Sequence, residues 1–307
     1  MHDISPLVSI ITVNYDQPDA TLAFLDSIKK ITYPSREIIV VDNGSPTSDP
    51  RLLKEKHPDI ILVESKINLG FAGGNNLGIK IAKGSYFLLI NNDTVVEPGF
   101  LEPLVNRLKS DPSVGVVSPK IRYFNQPGVI QYAGFTRINP LTARNRAIGF
   151  QEIDKGQFDL DSYTECAYGA AMMIPAQMVK KVGLMADIFF LYYEEMDWMQ
   201  RIKNAGFKIG YVPASVIYHK DSLTTGSMSP LKIYYLNRNR ILYIRRNVHG
   251  FMFLLACLYQ LFIAIPKNSM GFIIRGQFRL LKAYMSALGW HLRNAGNKEL
   301  HESPILS

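Results

Sequence analysis

Glu37-Ile38-Ile39-Val40-Val41-Asp42-Asn43-Gly44-Ser45 is the stretch on which the fold turns. Its apolar residues run consecutively, without the alternation of a half-exposed strand, and stop at a cluster of turn-forming residues. Such a run belongs to a strand covered on both faces. The same design repeats outward. Residues 7–13 read as a first strand and 19–30 as a helix. Residues 60–64 read as a third strand, followed by a Gly/Asn loop and a helix ending near Lys83. Residues 86–90 and 114–118 supply two more strands. Strands alternating with helices predict an α/β fold with a mostly parallel, Rossmann-like sheet flanked by helices. Ligands of such sheets bind beyond the carboxyl ends of the strands. The polar clusters at 14–16, 42–45 and 91–93 are therefore expected to converge on one crevice.

Further along, residues 120–165 lose the alternation and read as loops and short hairpins. Helices follow at 176–182 and 194–205, with short strands at 208–212 and 215–219. The end of the chain differs. Residues 234–246 are basic and aromatic at helical spacing, 251–266 are apolar, and 273–292 are amphipathic with Arg275, Arg279 and Lys282. A spanning helix needs about 20 apolar residues, so the apolar run predicts an in-plane or re-entrant helix rather than a span. A soluble helical subdomain or a dimer interface is the competing reading. The expected division is a catalytic domain over 1–236 and a helical, membrane-associating region over 237–307.

Charge supports that division. Residues 1–236 hold 24 Lys+Arg against 24 Asp+Glu, whereas 237–307 hold 10 against 2, the whole excess of +8. Positive charge that travels with an apolar segment points to an anionic membrane surface rather than nucleic acid. With 307 residues, 47% of them hydrophobic, the chain can bury one large core plus an appendage. Cys166 and Cys257 are far apart and match no zinc spacing, which predicts two reduced, buried thiols. The first apolar run is broken by Asn14 and Asp16 and preceded by Asp3, unlike a signal peptide. The expected location is cytoplasmic, peripheral to the inner face of the cell membrane.

Four motifs occur in order: Val40-Val41-Asp42-Asn43-Gly44-Ser45, the Asn68–Gly78 run Asn-Leu-Gly-Phe-Ala-Gly-Gly-Asn-Asn-Leu-Gly, Leu89-Ile90-Asn91-Asn92-Asp93-Thr94, and Tyr193-Glu194-Glu195-Met196-Asp197-Trp198. A carboxylate such as Asp42 at a strand end can accept the imide N–H of uracil or thymine, or close an Asx-turn. Glycines such as Gly73 allow close backbone approach, but no dinucleotide fingerprint or Walker lysine is present. Acids at 194, 195 and 197 suit a helix N-terminus; the aromatic run before them is not explained that way.

Together these motifs resemble family 2 of the inverting glycosyltransferases, with the GT-A fold, and especially its rhamnosyltransferase-like branch, over about residues 7–240. The resemblance implies a nucleoside-diphosphate-sugar donor and a glycan or lipid-linked acceptor. It places Val13, Asn14 and Asp42 at the base, and Gly73, Asn75, Asn76 and Asn92 about the donor. Asn75-Asn76 stands where the family often has Arg-Asn. Asp93 ends a degenerate Asp-x-Asp motif and His219 takes the place of a metal-binding histidine, which implies a divalent cation, Mg2+ or Mn2+. Glu195 falls at the position of the base, usually Asp, with Glu194 as fallback. Gly169, Ala170, Glu194, Asp197 and Trp198 fall on the acceptor side, Asp197 orienting the loop or the acceptor and Trp198 offering a stacking face. The implied donor is deoxythymidine-diphosphate rhamnose, with a uridine-diphosphate hexose or galactofuranose as alternative. A catalytically silent nucleotide-binding scaffold and self-association both stay open at this point.

Overall fold

The structure, a computed structural model, describes residues 5–220 and 228–306; Asp3 lies outside them. Among the described residues, ten strands and ten helices follow in chain order. The first half contains β1 (Val8–Asn14), α1 (Pro18–Ile28), β2 (Arg36–Asp42), α2 (Arg51–Lys56), β3 (Ile61–Glu64), α3 (Gly70–Ile81), β4 (Tyr86–Ile90), β5 (Thr94–Val96), α4 (Leu101–Ser110), β6 (Val114–Tyr123) and β7 (Gln126–Tyr132). The second contains β8 (Ser162–Thr164), β9 (Ala171–Pro175), α5 (Ala176–Val182), α6 (Glu194–Asn204), β10 (Lys208–His219), α7 (Pro230–Asn247), α8 (Gly250–Tyr259), α9 (Ile265–Ile274) and α10 (Phe278–Arg293).

One sheet has the order β3-β2-β1-β4-β9-β6-β10-β5. It is parallel from β3 to β4; β9 then enters antiparallel between β4 and β6, and β6 and β10 run parallel. The consecutive apolar runs are explained by burial on both faces. Ile10, Val40 and Leu88 pack with Phe24 and Leu25 of α1 and Leu101 and Leu104 of α4. Their neighbours Ile11, Ile39, Val41 and Leu89 point the other way, onto Ile79 of α3, Val179 of α5, Ile202 of α6 and Leu242 of α7. The two-residue period of a strand thus sorts one run into two cores.

Three local expectations change. The Gly/Asn segment is not a loop before a helix but lies within α3, which starts at Gly70. Its glycines serve helix–sheet contact: a Cβ on Gly78 would stand 2.4 Å from Ile11 Cγ2. Residues 208–219 form one strand with a register shift between Val212 and Val216 rather than two strands. The apolar segment is also longer than its sequence suggests. A single helix continues from Gly250 to Ile274, 25 residues containing an 18-residue window of mean hydropathy 1.7, long and apolar enough to cross a membrane by length and composition. A π-helical turn at Gln260–Ala264 carries the chain past Pro266, which lacks the amide hydrogen for an ordinary helical bond. Cys166 is buried as expected, but Cys257, on this helix, is exposed.

Candidate active site

Strand pairing brings the site together. β5 runs antiparallel to β10 with Thr94 opposite His219, and the Lys220 amide donates to the Asp93 carbonyl at 3.0 Å. Asp93, just beyond β4, therefore meets a histidine 126 positions later in the chain, with His219 Nε2 3.1 Å from Asp93 Oδ1. The ring proton is assigned to Nδ1, which donates to Oε1 of buried Gln131 at 2.9 Å. That leaves the Nε2 lone pair facing a buried Asp93 oxygen that receives no hydrogen bond. Two electron-pair donors so juxtaposed, with the histidine orientation fixed from behind, fit a divalent cation. Among the described residues no third His, Cys, Asp or Glu joins them.

The acidic end is built differently. Phe190, Tyr192 and Tyr193 all take left-handed backbone angles (φ 63°, 70° and 74°), immediately before α6. Such conformations cost about 1–3 kcal/mol each and persist only where the surroundings hold them. The holders lie on α7. Asn239 Nδ2 faces the carbonyls of Phe189, Leu191 and Tyr192 at 2.7–2.8 Å, and Arg238 Nη2 donates to those of Ile188 and Phe189. From the other side, the Phe71 amide donates to the Phe190 carbonyl at 2.6 Å. Only glycine fits before it, because a Cβ on Gly70 would lie 2.1 Å from that oxygen.

Glu194 and Glu195 follow in the first turn of α6. Burial raises both carboxyl groups above the ordinary range, Glu194 the more because the Glu195 charge adds to it, while helix amides partly offset the effect on Glu195. One oxygen of each is buried without a hydrogen-bond partner.

These groups line one cleft of about 710 Å³. Of the residues expected in the site, Val13, Asn75, Asn92, Asp93, Gly169, Ala170, Glu194, Glu195 and His219 border it. Others stand behind its wall. Asn14 donates to Asp42 Oδ1 at 2.8 Å, and Asp42 also closes an Asx-turn on the Ser45 amide. Asn76 holds the Met185 carbonyl and Asp187, while Gly73 packs on Leu69. Two acceptor-side expectations are corrected. Trp198 is fully buried, its Nε1 donating to the Gly183 carbonyl, so it offers no face to a sugar. Asp197 is also buried: burial opposes its ionisation, but Arg246, Arg201 and Asn247 hold it ionised, tying α6 to α7, so it faces no acceptor and only the orienting of the loop and helix remains of its two readings.

The cleft also holds residues to which the sequence reading gave no individual role, although Tyr15, Asn43 and Asn91 belong to the polar clusters expected to converge here. Tyr15, Gln17, Asn43, Asn68 and Asn91 surround the strand ends, and Phe71, Phe135, Tyr168, Phe190 and Tyr192 form an aromatic lining. Asn43, Asn68, Phe71 and Asn91 sat inside quoted motifs; Gln131, Arg238 and Asn239 carried no local signal.

The chain is similar to known proteins in sequence and in fold. A hexosyltransferase of low-salt glycan biosynthesis from Haloferax volcanii is 26% identical over 242 residues, 76% of this chain and 74% of that protein. An N-acetylglucosaminyl-diphospho-decaprenol L-rhamnosyltransferase from Mycobacterium tuberculosis is 22% identical over 249 residues, 74% of this chain and 79% of that one. In fold, the chain resembles a mannosyltransferase from Pyrobaculum calidifontis solved with GDP-Man and Mn2+, with a TM-score of 0.57 and 18% identity over 97% of this chain and 78% of that one. Residues 9–173 match the sequence profile of glycosyl transferase family 2, more than half of the chain, and the protein belongs to that family.

Proposed function

We propose that this glycosyltransferase moves a sugar from a nucleoside-diphosphate donor onto an acceptor hydroxyl with inversion at the anomeric carbon. The observation that carries the reading is that Glu194 and Glu195 share one cleft with the Asp93–His219 pair. Glu195 takes the acceptor proton while the acceptor oxygen bonds to the anomeric carbon. The bond to the diphosphate breaks and its electron pair leaves with the nucleoside diphosphate. Burial and the Glu195 charge push Glu194 up further than Glu195, which makes Glu195 the readier of the two to ionise. Asp93 and His219 would hold Mg2+ or Mn2+, which supplies Lewis-acid neutralisation of the diphosphate charge. Val13, Asn75 and Asn92 border the donor, and the Asn14–Asp42 pair braces the strand ends behind the base from within the wall.

Deoxythymidine-diphosphate rhamnose is the preferred donor, supported by the motif resemblance and by the relative named as an L-rhamnosyltransferase. A uridine-diphosphate hexose is the second reading, favoured by the relative named as a hexosyltransferase. The region 237–307 keeps the enzyme at the inner membrane surface: Phe251, Phe262 and Ile274 are about 70% exposed on the apolar helix, and basic residues flank it.

A donor panel scored for nucleoside diphosphate release tests the chemistry. Glu195→Gln should lower transfer by roughly 10²–10⁴-fold while donor binding persists; near wild-type transfer would remove Glu195 from the role. Full activity in excess chelator would remove the cation. Flotation with anionic vesicles should fail for Phe251→Asp/Phe262→Asp, and unchanged flotation would sink the membrane assignment.

A further inference from the structure

A second cavity, of about 260 Å³, shares only Tyr192 and Glu195 with the main cleft. Its remaining wall sets two arginines and an asparagine among the apolar side chains of Ala143, Met196 and Leu236. Arg144 and Arg240 line it, and neither forms an ion pair among the described residues. Arg240 spends Nε on the Tyr193 hydroxyl and Nη1 on Asn237 Oδ1, both neutral groups. Asn145, also on the wall, has a buried Nδ2 with no hydrogen-bond partner. Unpaired guanidinium groups beside an orphaned amide donor suit an anion with several oxygens.

The surroundings narrow the choice of anion. Gln260 of the exposed apolar helix donates to the Leu141 carbonyl at 3.4 Å, three residues before Arg144. Arg144 and Arg240 both act electrostatically on Tyr284 of α10. The cavity thus lies where the catalytic layer meets the apolar helices. It is smaller than the roughly 300–1,000 Å³ typical of a pocket that encloses a drug-sized ligand, which argues against a whole nucleotide sugar. An acceptor has to bring its hydroxyl to Glu195 without displacing the donor, and this cavity reaches Glu195 by a separate wall.

We propose that the cavity binds the diphosphate of a lipid-linked acceptor sugar, with Arg144, Arg240 and the Asn145 amide as donors and the lipid lying along the apolar helix. The assignment rests on the transferase reading with Glu195 as base. The test is calorimetric binding to the full-length protein in detergent micelles. The probes are geranylgeranyl diphosphate, geranylgeraniol and inorganic pyrophosphate, with UDP or dTDP plus Mn2+ reporting on the donor cleft. Arg144→Gln/Arg240→Gln should weaken geranylgeranyl diphosphate binding by about tenfold or more and leave nucleoside diphosphate binding within about twofold. Arg144→Gln alone, at an exposed and unpaired residue, should show a smaller loss without any change in thermal stability.

Wild-type affinity in the double variant would overturn the proposal. So would equal binding of geranylgeraniol, which would mean an apolar surface alone, or equal binding of pyrophosphate, which would mean a free-anion site. A parallel loss of nucleoside diphosphate binding would assign the arginines to the donor. Arginine-dependent lipid diphosphate binding without any sugar transfer would instead count against the proposed function.

Discussion

Replacing Asn239 tests whether α7 is part of the catalytic apparatus. Asn239 is fully buried, and its two amide hydrogens serve the carbonyls of Phe189, Leu191 and Tyr192. In Asn239→Ala the Phe189 carbonyl keeps Arg238, but those of Leu191 and Tyr192 lose this donor. A buried group deprived of its partner costs about 1–3 kcal/mol, so two place the loss at roughly 2–6 kcal/mol. At no more than about 2–4 °C per kcal/mol, the range for chains somewhat shorter than this one, the melting temperature should fall by roughly 4–24 °C. The loop that loses this support holds three left-handed residues directly ahead of Glu195. Misplacement of a reacting group by about 1 Å costs on the order of 10²-fold in rate. Initial-rate assays below the new melting temperature should therefore show kcat falling by about that factor, with the donor KM little changed. Asn239→Asp should be worse than Ala, since it turns carboxylate oxygens toward carbonyls. A melting-temperature drop with kcat within twofold, or Ala and Asp variants of equal effect, would refute the positioning argument.

Glu194→Gln should stabilise the fold at neutral and alkaline pH. The folded state binds the Glu194 proton more tightly than the unfolded one, so stability is full below pH about 4.5 and declines as pH rises toward the raised folded value. Denaturant titrations of both proteins should diverge with pH, and parallel curves would contradict the buried-proton assignment. Gln131→Leu removes the acceptor that fixes the His219 tautomer; the cation concentration for half-maximal activity should rise about 10–100-fold, and an unchanged midpoint would separate Gln131 from the site. Gly70→Ala places a methyl group 2.1 Å from the Phe190 carbonyl at a φ of +73°, so the variant should melt well below wild type and lose transfer; a wild-type melt would show that this contact is not rigid. Acidification should loosen α10 from α7. Burial holds His291 near pKa 4, neutral between the Arg238 carbonyl and Arg245, so its contribution is complete above pH about 6.5 and lost toward pH 4, which pH-dependent hydrogen exchange of α10 would detect.

The amino-acid sequence by itself determined where most strands and helices lie and which polar clusters end the strands. Those properties depend on neighbours within a few residues: the apolar runs of β1, β2 and β4 are legible because burial on both faces removes alternation. It also specified the family through the order of its motifs. Which members of a motif reach the cleft was decided only by tertiary packing. Asn75 borders the cleft while the adjacent Asn76 binds the Met185 carbonyl 109 residues away, because successive helical residues point about 100° apart. Glu195 faces the cleft, whereas Asp197 and Trp198 turn toward α7 and the Gly183 carbonyl. Gln131, Arg238 and Asn239 had no readable role, since their partners are a histidine 88 residues away and main-chain carbonyls about 50 residues away. A backbone carbonyl is identical at every position, and only the folded chain shows which ones a side chain must satisfy.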